Sequence, residues 1–362
     1  MRVLTVVGNR PQFVKAAAVS SHLRERAEEV LVHTGQHYDR ELSELFFEEL
    51  ELPPPRHRLE IGSGTHAEQT GQLLLELEPL LEQVAPDAIL IYGDTNSTLG
   101  AALVAAKAGL PLAHVEAGMR SFARSMPEEV NRVVADSLAT LLLCSTEFAV
   151  SNLEREGQRG EAILVGDVMA DVAVLFGPIA DRRSRVLERL ALEPRGYSVA
   201  TAHRAGNVDD PERLGAVVEL LARAAEQAPV VLALHPRTRL RLESAGMLEG
   251  LEGRGIRPID PLGYLDMTRM VRASRAVITD SGGLQKEAFL AAVPCLTMRE
   301  ETEWIETVEA GWNRLVGLDA DSAQRALAEL PGPGERESRA LEIYGGGKAG
   351  ERVAAALADW QG

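Results

Sequence analysis

The stretch from Ile89 to Arg132, ILIYGDTNSTLGAALVAAKAGLPLAHVEAGMRSFARSMPEEVNR, limits the fold more than any other part of the chain. An apolar run over Ala88 to Tyr92 ends in Gly93-Asp94, and a Thr/Ala/Leu segment of helical character follows. A second apolar run, Leu110 to Val115, ends in Glu116-Ala117-Gly118. Two strands joined through a helix read as a parallel βαβ unit, whose strands point the same way. Asp94 and Glu116 therefore stand together at the C-terminal ends of neighbouring strands, where open α/β sheets bind their ligands. A third acid, Glu128, follows Pro127 at the start of the next helix. Taken alone, Asp94 ahead of Thr95 also suits a helix N-cap. Paired with Glu116, it is equally a candidate for chemistry.

The same alternation runs through the chain. Val3 to Val7 is a buried strand, Gly8-Asn9-Arg10-Pro11 a turn, and Gln12 to Arg26 a helix. Pro11 suits the first helical turn, whose free N–H groups and positive end attract phosphate. Arg10 is placed to meet such an anion, with Lys15 one turn further on. Val30 to Thr34 is the next strand, followed by Gly35-Gln36-His37-Tyr38-Asp39, a helix over Arg40 to Leu50 and the stiff Pro53-Pro54-Pro55. Ala67 to Val84 reads as an amphipathic helix with Leu73, Leu74, Leu77, Leu80 and Leu81 on its core face. Strands at Leu141 to Ser145 and Ala162 to Val165 complete the first half, and the alternation thins after Gly166-Asp167.

In the second half, strands are expected at Tyr197 to Thr201, Val230 to Leu234, Ile256 to Ile259, Ala276 to Thr279, Pro294 to Met298 and Asn313 to Val316. His203 and Arg204 follow the first of these, and His235 with Arg237 the second. Thr279-Asp280-Ser281-Gly282-Gly283 is a strand end and a Gly-rich turn, before a helix over Leu284 to Ala292. Glycines let a backbone approach a pyrophosphate closely, Ser281 offers a hydroxyl, and Glu287 can accept from ribose hydroxyls. Neither the GxGxxG dinucleotide fingerprint nor a Walker A motif occurs in these turns, which counts against NAD-dependent dehydrogenases and kinases. The expected organisation is residues 1–166 with a returning helix in 348–362 as one domain, and 167–347 as the other.

A net charge of −16 argues against nucleic acid or an anionic membrane as main partner. No apolar run reaches the roughly 18 residues of a membrane span. The amino terminus reads as a strand and a turn, not a signal peptide, so the expected location is the cytoplasm. Cys144 and Cys295 end apolar runs without metal-finger spacing and read as buried hydrophobes in a reducing compartment.

With these loops laid out, the chain resembles the non-hydrolysing UDP-N-acetylglucosamine 2-epimerases over essentially its full length. The motifs GNRPQFVK, GDTNSTL, HVEAGMRS, PEEVNR, TAHR, HP and TDSGGLQKE stand in the family's order. The resemblance implies a GT-B architecture, two doubly wound Rossmann-like domains facing a cleft, with a C-terminal helix crossing back. It implies a homodimer acting on a UDP-sugar, with no nicotinamide cofactor and no metal. The implied chemistry inverts C2 by anti elimination of UDP, giving 2-acetamidoglucal, and re-addition from the other face. Asp94, Glu116 and Glu128 match the family's acid/base positions, with His203 against the leaving diphosphate. Arg10, Ser281, Gly282 and Gly283 match phosphate contacts, Glu287 the ribose contact, and Lys15, Arg132 and His235 further polar substrate positions. Pro261, Leu262 and Tyr264 lie where the family seats uracil.

The departures bear on the sugar and on regulation. Where bacterial UDP-GlcNAc epimerases carry an arginine gripping a second, activating UDP-GlcNAc, this chain offers Gln72, while Gln36, His37, Arg204 and His235 of that allosteric site remain. Thr302-Glu303-Trp304 replaces their Glu-Arg-Pro. It and TGQHYD are similar to the branch acting on UDP-2,3-diacetamido-glucuronic acid. The expected function is the UDP-GlcNAc 2-epimerase, with that diacetamido sugar as the alternative substrate. A GT-B glycosyltransferase is the reading from another class, but it calls for an acceptor groove and one base, not clustered acids. A binding protein without turnover and a hydrolysing epimerase complete the alternatives.

Overall fold

A computed structural model describes residues 1–35, 54–330 and 337–360; the side chains of Arg10 and of 337–339 lie outside that description. So do Gln36 and His37 and the helix expected over Arg40 to Leu50. The chain divides into two compact units, Met1–Leu175 with Leu341–Gly362, and Phe176–Ala340. The division falls within the helix Val168–Arg183, which continues through Pro178.

In the first unit, β1 (Arg2–Val7), β2 (Glu28–His33), β3 (His57–Arg58), β4 (Ala88–Tyr92), β5 (Leu112–Ala117), β6 (Leu141–Cys144) and β7 (Glu161–Leu164) form a parallel sheet in the order β3-β2-β1-β4-β5-β6-β7. All five residues of β4 are buried, as expected of an interior strand covered on both faces by helices. The helix His66–Val84 turns Leu73, Leu77, Leu80 and Val84 into the core, with Leu74 and Leu81 packed against its edge. Next to it lies the small-residue helix Asn96–Ala108, where a Cβ on Gly100 would come within 2.7 Å of the Leu73 Cβ.

In the second unit, β8 (Ser198–Thr201), β9 (Val230–Ala233), β10 (Ile256–Ile259), β11 (Ala276–Thr279), β12 (Cys295–Thr297) and β13 (Asn313–Leu315) form a parallel sheet ordered β10-β9-β8-β11-β12-β13. Each sheet thus reverses its winding beside its first strand, between β1 and β4 and between β8 and β11. Those are the topological switch points, where adjacent loops part and open a crevice. The loop at Gly8-Asn9 that leads into Arg10 and the loop carrying Asp94 flank one; those carrying His203 and Ser281 flank the other.

The closing helix, Ala349–Asp359, packs on the helix Arg10–Arg24 of the first unit. Asp171 caps it, accepting from the N–H groups of Ala349 and Gly350 at 3.0 and 2.8 Å. A Cβ at Gly350 would lie 2.2 Å from the Ala18 carbonyl oxygen. Alanine gains about 1 kcal/mol over glycine in a helix, but overpacking against backbone costs about 1–3 kcal/mol. Gly350→Ala is therefore expected to lower stability by up to about 2 kcal/mol, the difference of these opposing effects, read as a fall in the urea midpoint.

Both cysteines are free and buried, and burial pushes each thiol up to about 12. Among the described residues, no helix is long and apolar enough to cross a membrane.

Candidate active site

The residue that caps the helix after β4 is Thr95, not Asp94. Its hydroxyl accepts from the Thr98 N–H, and the Thr98 hydroxyl answers the Thr95 N–H at 3.1 Å. Asp94 is left for other work. Its partly exposed carboxylate takes a charge-assisted bond from the Arg132 guanidinium. Arg132 also reaches Glu129 at 3.2 Å, and Asn131 donates to the Asp94 carbonyl at 2.9 Å. The helix Pro127–Leu138 thereby fixes the Asp94 turn from one face.

Glu116 sits near the end of β5, where the pairing with β6 slips between Val115 and Ala117. Its φ is +67°, a left-handed conformation that costs a residue with a Cβ about 1–3 kcal/mol. The strain aims the carboxylate at the Lys15 ammonium, with which it forms an ion pair. Lys15, read from the sequence as reaching a phosphate, thus has a carboxylate partner in the structure. A Cβ added at Gly93 would lie 3.5 Å from both members of that pair, so the pair stands beside the residue preceding Asp94.

The third acid behaves differently. Glu129, its neighbour, is buried and accepts from the Ser121 N–H and hydroxyl and from the Phe122 N–H, at 2.9 to 3.0 Å. Glu128 is exposed on the first helical turn. Glu129 therefore holds the loop, while Glu128 keeps its carboxylate toward solvent.

Beneath β4 and β5, His114, Asp136 and Arg120 form a buried polar chain that sequence reading did not single out. The Asp136 carboxyl meets His114 Nδ1 and Arg120 Nη1, each at 2.7 Å. Burial pushes it up, but those two neighbours prevail and hold it below its ordinary value.

In the second unit, Asp280 is the organising group. Fully buried at the end of β11, it accepts from the N–H groups of His203 and Arg204 and from Asn207, at 3.0 to 3.2 Å. His203 Nδ1 is 3.4 Å from the same carboxylate. The His203 and His235 rings lie 5.8 Å apart. His235 caps the helix Pro236–Ser244 by accepting at Nδ1 from the Arg237 N–H, which leaves Nε2 as the donor.

The helix after β11 begins at Gly282, so the glycines form its first turn, two residues earlier than expected. Ser281 stands at its N-cap without a side-chain capping bond. Its hydroxyl and the first-turn N–H groups are thus suited to an anion. Ser281→Ala is expected to weaken UDP binding by about 1–3 kcal/mol if that hydroxyl meets a phosphate, measured by calorimetric titration; unaltered affinity would refute the contact.

Glu303 lines the same turn, since a Cβ on Gly282 would come within 2.4 Å of its Oε1. Burial pushes the Glu303 carboxyl up, but Arg299 and Arg204 hold it below its ordinary value. Tyr264 opens the helix Tyr264–Ala273 with its ring edge-on to Phe176, and Leu262 packs on the core behind it. Burial and then the Glu287 charge push the Tyr264 phenol up. Pro261 is exposed ahead of them, and Gln72 is exposed on the helix His66–Val84. Among the described residues, no cluster of three or more His, Cys, Asp or Glu is placed to hold a metal.

Two doubly wound parallel sheets of this order, matched along the chain by solved structures, place the protein in the GT-B class of α/β proteins with two Rossmann-like domains. The family model of UDP-N-acetylglucosamine 2-epimerase matches residues 21–358. The chain is 45% identical to the UDP-2,3-diacetamido-2,3-dideoxy-D-glucuronate 2-epimerase of Pseudomonas aeruginosa, over 99% of each chain. It is 44% identical to a UDP-N-acetylglucosamine 2-epimerase homologue of Methanococcus maripaludis, over 91% of this chain and 92% of that one. The crystal structure of Methanocaldococcus jannaschii UDP-GlcNAc 2-epimerase in complex with UDP-GlcNAc and UDP superposes with a TM-score of 0.89, at 38% identity and 99% coverage of both chains. The chain belongs to the UDP-N-acetylglucosamine 2-epimerase family, whose members are isomerases.

Proposed function

We propose that this protein interconverts UDP-GlcNAc and UDP-ManNAc. The observation that carries the reading is the acid arrangement at the end of the first sheet. Asp94 pairs with Arg132, Glu116 pairs with Lys15 in a strained bulge, and Glu128 is exposed on the adjoining helix.

The C2 proton of the sugar is weakly acidic, so simple removal and return is a poor route. In the elimination route a carboxylate takes that proton as the C1–O bond to UDP breaks. The C2–H electrons become the C1=C2 double bond of 2-acetamidoglucal, and UDP departs with the bonding pair. Return of a proton to the other face of C2, with UDP oxygen attacking C1, gives the epimer. Asp94, Glu116 and Glu128 are the proposed acid/base groups. His203, Arg10, Ser281, Gly282 and Gly283 are proposed to hold the diphosphate, where charge builds as the bond breaks. Glu287 is assigned to the ribose, and Pro261, Leu262 and Tyr264 to the uracil. We propose further that the enzyme works as a cytoplasmic homodimer supplying precursors of cell-surface polysaccharide. In this reading Gln36, His37, Gln72 and Arg204 belong to a second, regulatory nucleotide-sugar site.

A second substrate reading has its own support. The Pseudomonas aeruginosa relative acts, by its name, on the diacetamido glucuronate nucleotide, and it is 45% identical along the whole chain. Thr302-Glu303-Trp304 points the same way. In the structure Trp304 is buried beneath the Lys286 ammonium, 3.8 Å from its ring centroid, and Thr302 donates to Gln285 at 2.6 Å. Steady-state kinetics on the two nucleotides decide between them. A higher kcat/KM for UDP-GlcNAc supports the first reading, and a higher value for the diacetamido uronate the second. Turnover of neither would refute both.

A further inference from the structure

His114 lies on β5 two residues before Glu116, fully buried, with hydrogen-bond partners on both ring nitrogens. Nε2 is 2.6 Å from the carbonyl oxygen of Gly93, the residue before Asp94. A carbonyl only accepts, so Nε2 carries a proton. Nδ1 is 2.7 Å from Asp136 Oδ1. The other oxygen of that carboxylate accepts from the Gly118 N–H at 3.1 Å and from Arg120 at 2.7 Å. Arg120 in turn forks onto Glu156 at 2.6 and 2.7 Å. Facing an ionised acid, Nδ1 donates as well.

The chain of bonds therefore begins one residue before Asp94 and ends two residues after Glu116. Its location matters because the backbone ladder is failing there. The last bond between the two strand ends runs from the Gly93 N–H to the Val115 carbonyl at 3.0 Å. Beyond it, Gly93 has a φ of +62° and Glu116 one of +67°, and on the other side of β5 its register with β6 slips. Where regular sheet pairing stops, one imidazole takes over the Gly93 carbonyl.

We propose that His114 is a positioning residue that sets the spacing of the Asp94 and Glu116 carboxylates by clamping the Gly93 carbonyl to the Asp136 anchor. The inference rests on the proposed epimerase activity. It assigns the Gly93 side of the ring to geometry and the Arg120–Glu156 end to holding the anchor.

Two conservative variants separate the two ring nitrogens. His114→Asn retains a donor near the Nδ1 position and loses the one toward Gly93. His114→Gln retains a donor near Nε2. With displacements of about 1 Å costing up to 10²-fold, His114→Asn is expected to lower kcat about 10–100-fold with KM within about twofold. His114→Gln is expected to stay within about fivefold of wild type. Glu156→Gln, which loosens only the far end, is expected to lower the thermal midpoint and leave kcat unchanged.

Folded His114→Asn with wild-type kcat would overturn the proposal, as would an equal loss of kcat in His114→Gln or Glu156→Gln. If His114→Asn does not fold, ¹⁵N-histidine NMR of the wild-type enzyme decides. One histidine with two slowly exchanging ring protons supports the bridge, and its absence overturns it. A wild-type enzyme inactive on both nucleotide sugars would instead overturn the function on which the inference rests.

Discussion

Glu128→Gln is expected to lower kcat for epimerisation by about 10²–10⁴-fold, the usual loss when an acid/base group is neutralised. The fold should hardly notice. Glu128 is exposed on the first turn of the helix Pro127–Leu138, and the loop before it is held by Glu129 instead. Its only general contribution to stability is a negative charge at a helix N-terminus, about 0.3–1 kcal/mol. Chemistry and stability therefore come apart at this residue. Turnover of the purified variant would be followed by NMR, and its thermal midpoint by circular dichroism. A folded variant with wild-type turnover would remove Glu128 from the mechanism.

Glu116→Gln is expected to cost a similar factor in kcat, about 10²–10⁴, for a partly different reason. Glutamine keeps the shape of the side chain but cannot take up a proton, and it dissolves the ion pair with Lys15. That pair is largely screened from water, so its loss also falls on stability, unlike the loss of an exposed pair. The strained backbone at Glu116 is the argument for chemistry. A left-handed glutamate costing about 1–3 kcal/mol is hard to account for unless the direction of its carboxylate matters. Wild-type turnover in Glu116→Gln, with a lowered thermal midpoint, would reassign the residue to holding Lys15 in place.

Much of the architecture is legible in the sequence because interior parallel strands advertise themselves. AILIY is apolar along its length, the run from Leu110 to Val115 is apolar but for His114, and the residues that follow each run stand at one sheet end. That logic alone picks out Asp94, Glu116, His203 and Ser281. The Leu-rich face of the helix His66–Val84 is equally plain. Failures have local causes. β3 is two residues long, too short to show a period. A proline ordinarily ends or kinks a helix, yet Pro178 lies inside the helix Val168–Arg183. Asp94 resembles a cap because capping preference hardly separates Asp from Thr, and only the Thr95–Thr98 pair settles which one serves.

The groups that support the site are the hardest to see. Asp280 stands inside a motif read for its serine and glycines, but its bonds reach back to His203 and Arg204 on another loop. Glu129 is distinguished from Glu128 by its contacts with Ser121, Phe122 and Arg132. His114 meets Asp136 across 22 residues. A βαβ pattern sets which strand ends are neighbours, but not which side chain bridges them.

The most direct test of the proposed mechanism is a proton NMR time course in D₂O with UDP-GlcNAc. Elimination and re-addition predict loss of the C2 proton signal, with deuterium at C2, as UDP-ManNAc appears. UDP-ManNAc formed with its C2 proton fully retained would contradict proton removal from C2 into exchangeable groups. Free ManNAc accumulating in place of the nucleotide sugar would contradict re-addition and mark the enzyme as hydrolysing.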